Sequence, residues 1–417
     1  MSLNNDQIAA LAAMKEFLRS EESFFLLTGF AGTGKTYLVK QLAEETKGRL
    51  IFTAPTNKAT KVLRDNLTTE AHRPECRTIY SLLGLKLEAN GEIKELAVPE
   101  DPVDISEYKA IILDEGSMLS KKLIPFLQQA AEEQKVKFIV MADEAQIPPV
   151  GEIRSEIFEI ATRHADLKEM MRYDNELLVL ATAVRKAVYH PAPSFRPVTS
   201  NSNGEGVWVA GSNFQRQIML AAEAGRFSLP NDTKAIAWRN VTVDSLNRMI
   251  RAHIFEDVTK AFLPEDRIVL MEPAKGPDDQ IIGTTDDEGT VVSAEVGWHP
   301  EWPEYKIWRL NVTSDTNAAL GLVVLHEDSL HRYDQQVLKM ANEARANPRL
   351  WRDYWEFREA FHKVKHSYAI TAHRSQGSTY QTVFVDWRDI LLNRNKTEAY
   401  RCLYVACTRA SKRLILN

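Results

Sequence analysis

The sequence lacks several features that mark whole classes of proteins. It contains only three cysteines, Cys76, Cys402 and Cys407, and no closely spaced pair that would suggest a zinc site or a disulfide framework. No stretch approaches the ~20 apolar residues that a membrane-spanning helix needs. The first residues are polar and do not follow the basic and then apolar order of a signal peptide. We therefore expect a protein of a reducing cytosol, with no membrane partner.

A large excess of charge of one sign is also missing. The chain has 52 Lys and Arg against 57 Asp and Glu, for a net charge of -5. Proteins that bind nucleic acids usually have an excess of basic residues. The net charge of this chain shows no such excess, although a net charge can hide local basic patches. The 44% hydrophobic and 26% charged residues exclude a disordered chain. At roughly 100–200 residues per domain, the 417 residues predict two to four domains.

The strongest local pattern is a glycine-rich loop between a strand and a helix. The apolar run at residues 23–28 predicts a buried strand, and residues 37–42 have helical periodicity. Between them, Gly29–Thr36 reads G-x-x-x-x-G-K-T, in which glycines let backbone N–H groups curl around phosphates at a helix N-terminus. We predict that Lys35 neutralises the β- and γ-phosphates of a nucleoside triphosphate and that Thr36 holds Mg²⁺.

A second apolar segment ends in two adjacent carboxylates. Residues 108–113 predict a buried strand, and Asp114 and Glu115 follow it directly. In P-loop proteins such a strand tip points its acids into the nucleotide crevice. We expect Asp114 to complete the Mg²⁺ shell and Glu115 to polarise the attacking water. The pair favours a nucleoside triphosphate hydrolase over a small-molecule kinase.

Two further strands lead into polar turns. Residues 137–142 precede a turn in which Gln146 could sense a γ-phosphate, although a simple turn containing two prolines fits the same residues. Residues 50–54 precede a turn whose hydroxyl, amide and N–H groups could bind phosphodiester oxygens. The alternative for this second turn is a plain helix cap by Thr56 or Asn57.

The C-terminal part repeats the alternation of strands and helices without a P-loop. Strands are predicted at residues 234–238, 368–371, 382–385 and 413–416, with a helical pattern at residues 243–250. This predicts a second α/β lobe. A lone arginine is usually a solvated surface group, but Arg409 at the crevice of such a lobe could act as an arginine finger.

In their order along the chain, these motifs resemble those of superfamily 1 DNA helicases, in the 1B branch that holds Dda-like and RecD-like enzymes. The resemblance covers nearly the whole chain. It implies an α/β fold with two RecA-like P-loop NTPase lobes, a small β-hairpin insert in the first lobe and a β-barrel plus helical insert in the second. The implied bounds are 1–84 and 102–175 for the first lobe, 85–101 for the hairpin, 176–264 and 366–417 for the second lobe, and 265–365 for the barrel and its helical tower.

The resemblance also implies the roles of individual residues. The catalytic residues would be Lys35, Asp114, Glu115, Gln146, Arg172 and Arg409. ATP would be bound by Gln7, Gly32, Thr33, Gly34, Lys35, Thr36, Gln376 and Gly377, with Thr36 and Asp114 holding Mg²⁺. DNA would be contacted by Pro55, Thr56, Asn57, Lys58, Thr78, Tyr80, Ser81, Pro149, Trp238, Asn240, Thr371, His373 and Ser375.

The implied activity is ATP-dependent movement along single-stranded DNA, in the 5′ to 3′ direction, with unwinding of duplex DNA. The implied partners are single-stranded DNA and forks, and also a single-stranded-DNA-binding protein or another replication protein, around a monomeric motor. Two alternatives stay open. One is a translocase that displaces bound proteins with little unwinding, and the other is an interaction module that kept a P-loop only for folding.

The two inserts have patterns of their own. Alternation around Asn90 and Gly91 predicts a hairpin with a type I′ turn. By resemblance it would carry the strand-separating pin, with the tower docked toward it, whereas the alternative is a simple surface hairpin. Aromatic residues at 350–361 have helical spacing and are expected to pack their helix on its neighbours rather than stack on bases. The segment 358–374 is locally basic, which predicts either a DNA track or a solvated face.

Overall fold

The computed structural model describes residues 3–69, 73–98, 102–169, 176–191, 195–276 and 280–417. Its helices are α1 (Asn5–Phe17), α2 (Lys35–Glu45), α3 (Asn57–Leu67), α4 (Ile79–Leu82), α5 (Ile124–Gln134), α6 (Ile157–Ile160), α7 (Glu176–Tyr189), α8 (Phe214–Glu223), α9 (Asn240–Ile254), α10 (Leu330–Ala346), α11 (Trp351–Glu359), α12 (Trp387–Ile390) and α13 (Lys396–Cys407). No helix in these ranges is long and apolar enough to span a membrane.

The strands are shorter and more numerous. They are β1 (Phe24–Gly29), β2 (Arg49–Ala54), β3 (Cys76–Thr78), β4 (Lys86–Asn90), β5 (Ile93–Ala97), β6 (Tyr108–Leu113), β7 (Lys137–Ala142), β8 (Arg163–Leu167), β9 (Ser200–Ser202), β10 (Glu205–Val209), β11 (Thr233–Ala237), β12 (Arg267–Leu270), β13 (Ala274–Lys275), β14 (Ile281–Gly283), β15 (Glu288–Trp298), β16 (Lys306–Ser314), β17 (Ala319–Leu325), β18 (Val364–His366), β19 (Ala369–Thr371), β20 (Tyr380–Val385) and β21 (Ala410–Leu416).

The first lobe is a parallel sheet in the order β3-β2-β6-β7-β1-β8. Strands β6 and β7 are buried along almost their whole length, because helices cover both faces of a parallel sheet. One face packs on α1, α2 and α3 and the other on α5. The carboxyl ends of β1, β6 and β7 therefore meet at one edge, which brings the predicted nucleotide residues together.

The second lobe repeats this plan with the order β19-β11-β20-β21-β10-β9, and only its edge strand β9 is antiparallel in the described residues. Helices α7 and α13 pack on one face, and α8 and α9 on the other. The two predicted α/β lobes are confirmed. The four strands predicted in the second lobe are present, while β10 was not predicted from the sequence.

The insert in the second lobe is a closed β-barrel, as expected. Its sheet runs β17-β16-β15-β12-β18, and the two outer strands approach through a bridge between Val324 and His362. The His362 N–H donates to the Val323 carbonyl at 2.7 Å, and the Val323 N–H donates to His362 Nδ1 at 2.9 Å. One backbone bond and one side-chain bond thus join the barrel edges.

Helices α10 and α11 pack beside the barrel around an aromatic core. Tyr333, Phe357 and Phe361 are buried against Tyr305 and Ile307. Most ring centroids in this group lie about 5 Å apart at steep angles, the geometry that aromatic pairs prefer. The expectation that these aromatics pack their helix on its neighbours is confirmed.

The hairpin of β4 and β5 is present, but the predicted type I′ turn at Asn90 and Gly91 is wrong. Asn90 pairs with Ile93, so Gly91 and Glu92 are the connecting residues. Gly91 has a φ of 63°, whereas Glu92 is not among the described residues with positive φ. A single positive φ at the first position fits a type II′ turn, in which glycine is required at that position.

The hairpin tip rests on the helical tower, as the resemblance implied. Trp355 Nε1 donates to the Gly91 carbonyl at 2.9 Å, and the Lys94 ammonium lies 5.0 Å from the Trp355 ring centroid. Arg345 pairs with Glu92 at 2.6 Å. The two inserts, more than 200 residues apart in the chain, therefore meet through specific contacts.

Candidate functional site

The glycine-rich loop closes around the Lys35 side chain. Gly32 and Gly34 have φ values of 84° and 83°, which only glycine adopts at little cost. Gly34 caps α2 without a side chain, so the first N–H groups of the helix face the loop. Lys35 Nζ donates to the carbonyls of Gly29 at 2.5 Å and Phe30 at 3.4 Å. The ammonium thus lies inside the curl where phosphates are predicted to bind.

The two carboxylates lie at the end of β6, as predicted. Glu115 has a φ of 54°, and its N–H donates to Asp114 Oδ1 at 2.8 Å. Partial burial, together with the neighbouring Asp114, raises the pKa of Glu115 to about 7, while the charges of Arg409 and Lys35 oppose the shift. Burial also raises the pKa of Asp114. A left-handed backbone at a non-glycine residue is costly, and such strain clusters at functional sites.

The donors near the P-loop fit the predicted metal. The Thr36 hydroxyl and the Asp114 carboxylate are oxygen ligands of the kind that Mg²⁺ prefers, with its remaining positions taken by phosphates and water. Thr36 belongs to the first turn of α2 and Asp114 follows β6, so both lie at the same edge of the sheet.

Arg409 lies between the lobes but is held by its own lobe. Its guanidinium donates to the carbonyls of Val405 and Ser378 and to the Thr408 hydroxyl, each at 3.0 Å. Its charge nevertheless reaches the acid pair, since it lowers the pKa of Glu115 against the effect of burial. A role as arginine finger requires these bonds to be exchanged. Arg172 lies outside the described residues.

Gln146 and Gln376 face each other across the lobes. Gln376 Nε2 donates to Gln146 Oε1 at 2.9 Å and to the Ile147 carbonyl at 3.4 Å. Gly377 follows with a φ of 73°, and a Cβ on it would lie 2.9 Å from the Ala59 Cβ. The predicted sensor of the first lobe and the loop of the second are thus in contact. Gln376 was predicted to bind ATP, whereas its amide here bonds Gln146.

Gln7 is fully buried against the P-loop. Its Nε2 donates to the Thr33 carbonyl at 3.0 Å. Its Oε1 accepts from the Asn4 N–H at 3.2 Å, and the Asn4 side chain accepts the Gln7 N–H at 2.8 Å. This reciprocal capping box was readable in the sequence and was missed. Gln7, which was predicted to bind ATP, therefore anchors α1 to the nucleotide loop.

Several predicted DNA contacts have structural partners. The Thr56 hydroxyl accepts the Ala59 N–H and caps α3, and the Thr78 hydroxyl accepts the Ser81 N–H at 3.1 Å and caps α4. The plain-cap alternative for the first turn is therefore present. Both caps leave the neighbouring residues at helix N-termini, where backbone N–H groups favour anions. Of the other residues predicted in this part, Pro55 precedes α3 and Tyr80 lies within α4.

Lys58 is engaged inside the protein. Its ammonium bonds Glu288 at 2.6 Å and the Tyr380 hydroxyl at 2.7 Å. Burial opposes the charge, but the Glu288 carboxylate outweighs it and raises the pKa of Lys58. The neighbouring Asn57 side chain donates to Thr284 Oγ1. A phosphate contact by Lys58 would have to replace Glu288.

Glu288 is the centre of an ionic cluster that the sequence did not predict. Its carboxylate bonds Lys58 from the first lobe, Lys234 from the second at 2.7 Å, and lies 3.5 Å from Arg267 of the barrel. The cations outweigh burial and hold the pKa of Glu288 well below its usual range. No local pattern could reveal this cluster, because its members come from three separate parts of the chain.

The segment 371–377 presents a mixed surface. Ser375 is fully buried and donates to the Ala372 carbonyl at 2.7 Å, and the Thr371 hydroxyl accepts the Arg374 N–H at 3.3 Å. The His373 side chain is 37% exposed, and burial lowers its pKa. A neutral, partly exposed His373 is therefore available for DNA, whereas the Ser375 hydroxyl is not available in this arrangement.

The remaining predicted contacts lie at loop ends. Asp389 accepts the backbone N–H groups of Trp238 and Arg239 at 2.8 and 2.9 Å and fixes the start of α9, which leaves Asn240 exposed in its first turn. Pro149 is half-buried and precedes Val150, whose side chain is 98% exposed.

The basic segment 358–374 is largely paired. Lys363 pairs with Glu272, Lys365 with Asp244 at 3.2 Å, and Arg374 with Asp286 at 2.7 Å. Acidic residues of the barrel and of the second lobe thus neutralise the charges that suggested a track.

Comparisons with known proteins agree with this architecture. Residues 2–188 match the family described as AAA domain, and residues 366–417 match the UvrD-like helicase C-terminal domain. The ATP-dependent DNA helicase dda of Enterobacteria phage T4 is 26% identical over 444 residues, which cover 98% of this chain and 97% of that protein. An uncharacterized protein of Acanthamoeba polyphaga mimivirus is 24% identical over 492 residues, with 99% of each chain covered.

Solved structures show the same fold. A Pif1 helicase structure described for DNA unwinding at forked duplex DNA aligns with a TM-score of 0.53 at 16% identity, covering 100% of this chain and 92% of the other. A Bacteroides Pif1 helicase in complex with ADP-AlF3 and single-stranded DNA aligns with a TM-score of 0.51 at 15% identity, with the same coverage.

Proposed function

Because the chain belongs to the superfamily 1B helicases related to Dda, we propose that it is an ATP-dependent DNA helicase that moves 5′ to 3′ along single-stranded DNA and separates duplex strands. The observation that carries the proposal is the convergence of two lobes on one cleft. Lys35 and the acid pair come from the first lobe, and the Arg409 charge acts on the same acids from the second. One ATP between the lobes could therefore control their separation.

Each residue of the cleft has a definite task in this proposal. The P-loop N–H groups and Lys35 bind the phosphates, and Thr36 and Asp114 would hold Mg²⁺, which neutralises charge on the phosphates when bound. Glu115 accepts a proton from the attacking water, since a carboxylate with a raised pKa is a stronger base. Arg409 reaches the phosphates after it leaves the Ser378 carbonyl.

The DNA track in this proposal crosses the two lobes where they touch. The helix N-termini at Thr56 and Thr78 offer backbone N–H groups to phosphates, and His373 and Asn240 offer side chains from the second lobe. The contact between Gly377 and Ala59 brings both sets to one surface. Contacts of this kind position the strand without reading bases, so binding would be largely independent of sequence.

The hairpin is the candidate strand separator. Its tip is fixed to the tower by Trp355 and Arg345, and a fixed tip can resist the force of an advancing duplex.

One observation favours the second candidate function, a translocase that displaces proteins with little unwinding. The tip residues Gly91 and Glu92 include no aromatic ring that could stack on the terminal base pair.

A tailed-duplex assay tests the proposal. Partial duplexes with either a 5′ or a 3′ single-stranded tail are incubated with ATP and Mg²⁺, and strand separation is followed over time. We expect unwinding of the 5′-tailed substrate only. Unwinding of the 3′-tailed substrate alone would refute the direction. ATP-driven displacement of a protein block without strand separation would select the translocase.

A further inference from the structure

A buried tyrosine of the second lobe bonds two elements of the first. Tyr404 lies on α13 and is 1% exposed. Its hydroxyl accepts the Ala31 N–H of the P-loop at 3.2 Å and donates to Asp143 Oδ2, at the end of β7, at 2.5 Å. Burial and the Asp143 carboxylate raise the pKa of Tyr404 well above its ordinary value, so the hydroxyl keeps its proton.

Asp143 links Tyr404 to the loop that follows β7. Its Oδ1 accepts the Ala145 N–H at 3.1 Å, and the Ser117 hydroxyl bonds both its backbone carbonyl and its N–H, at 2.7 and 3.0 Å. The Arg185 guanidinium lies 3.5 Å from Oδ1. Asp143 is therefore held on several sides and can fix the backbone immediately before Gln146.

The contacts form a continuous path. It runs from Ala31 through Tyr404 and Asp143 to the loop of Gln146, and from Gln146 Oε1 to Gln376 of the segment 371–377. Its hydrogen bonds are 3.2 Å or shorter and largely shielded from water, where such bonds are strong and costly to leave unmade. The path thus joins the nucleotide loop to the segment proposed to contact DNA.

We propose that Tyr404 is a positioning residue that couples DNA binding to ATP hydrolysis, by holding the P-loop and the Asp143 carboxylate against the second lobe through one hydroxyl. The inference rests on the proposed function. Tyr404 belongs to one lobe and both of its partners to the other, so relative motion of the lobes must stretch or exchange at least one of its bonds. Coupling requires an element whose conformational equilibrium is shifted both by the nucleotide site and by the DNA site.

The chain offers a matched control. The Tyr368 hydroxyl also accepts a backbone N–H, that of Arg267 at 3.1 Å, and also donates to a carboxylate, Asp266 Oδ1 at 2.8 Å. Tyr368 is fully buried at the junction of the second lobe and the barrel. Tyr368→Phe therefore removes the same chemistry as Tyr404→Phe at a place outside the path.

The experiment measures kcat and KM for ATP hydrolysis with and without an oligothymidylate strand. We expect Tyr404→Phe to lower the stimulation by DNA at least about tenfold, the lower end of what a hydrogen bond to a charged group contributes. Tyr368→Phe should keep the wild-type ratio and lose only thermal stability. In the double variant, Tyr404→Phe should reduce the stimulation by DNA less in the Gln376→Leu background than it does in the wild type, because both changes break the same path.

Each other outcome overturns the inference. Wild-type stimulation in Tyr404→Phe would show that the hydroxyl does not couple the sites. An equal loss in Tyr368→Phe would assign the effect to stability, and a Tyr404→Phe chain that fails to fold while Tyr368→Phe folds would make the hydroxyl a folding element. Absence of DNA stimulation in the wild type would overturn the proposed function itself. The same assay shows this outcome separately, because the wild type is measured beside the variants.

Discussion

The docking of the hairpin on the tower predicts a variant that separates unwinding from hydrolysis. Trp355→Leu removes the bond to the Gly91 carbonyl and the ring beneath Lys94. A hydrogen bond of this kind contributes about 1 kcal/mol, and a partly exposed cation–π contact about 0.5–1 kcal/mol. The sum of about 1.5–2 kcal/mol corresponds to a tenfold or larger loss of the docked population. Two ion pairs between the hairpin and the tower remain, Glu92 with Arg345 and Lys94 with Glu359, but partly exposed pairs of this kind add little.

The assay compares the rate of fork unwinding with the rate of DNA-stimulated ATP hydrolysis in the same preparation. We expect Trp355→Leu to unwind about tenfold more slowly, while hydrolysis changes by less than about twofold, since the hairpin contacts lie outside the nucleotide cleft. Trp298→Leu is the control, because Trp298 lies in the same insert and is 58% exposed. Normal unwinding by Trp355→Leu, or an equal loss in Trp298→Leu, would refute the reasoning.

Three further predictions concern the cleft and the ionic cluster. Lys35→Ala should reduce DNA-stimulated ATP hydrolysis to background, and retained turnover would contradict the site assignment. Glu115→Gln should bind ATP and form a stable complex with DNA that wild type does not accumulate, as seen by native gel shift. Glu288 has a lowered pKa, so its stabilisation is complete above the unfolded value of 4.5 and is lost as pH falls. Because the loss begins only below that value, melting temperatures between about pH 5 and pH 3 should fall less steeply for Glu288→Gln than for wild type, and parallel slopes would disprove this role.

The sequence predicted the elements whose signals are local. The runs at β1, β6, β7 and the second half of β20 are mostly apolar because both faces are covered, and the P-loop glycines need positive φ. Strand β10 was missed because its residues include a glycine and two exposed positions. The turn was predicted one residue too early. The Asn-Gly pair favours the two central positions of a type I′ turn, but the strand register pairs Asn90 with Ile93 and places Gly91 and Glu92 there instead.

The partners of single side chains could not be predicted in the same way. Lys58, Ser375 and Gln376 were assigned to DNA or ATP by motif position, and the structure gives them Glu288, Ala372 and Gln146. Glu288 and Gln146 become partners because the chain folds back on itself, which residue type and spacing do not encode, whereas Ala372 lies only three residues before Ser375, in a local turn. Their roles with DNA and ATP stay predictions, and they require exchange of the bonds described here.

His362 joins the two edges of the barrel through a hydrogen bond that depends on the protonation state of its ring. His362 Nδ1 accepts the Val323 N–H, and its Nε2 lies 2.9 Å from the Lys275 carbonyl, so the ring must be neutral with its proton on Nε2. Burial lowers the pKa of His362 below its usual value, which means that the folded barrel resists protonation of this ring. A second proton would turn Nδ1 into a donor facing another donor. Acidification would therefore weaken the barrel at the bond between His362 and Val323, where its two edges meet.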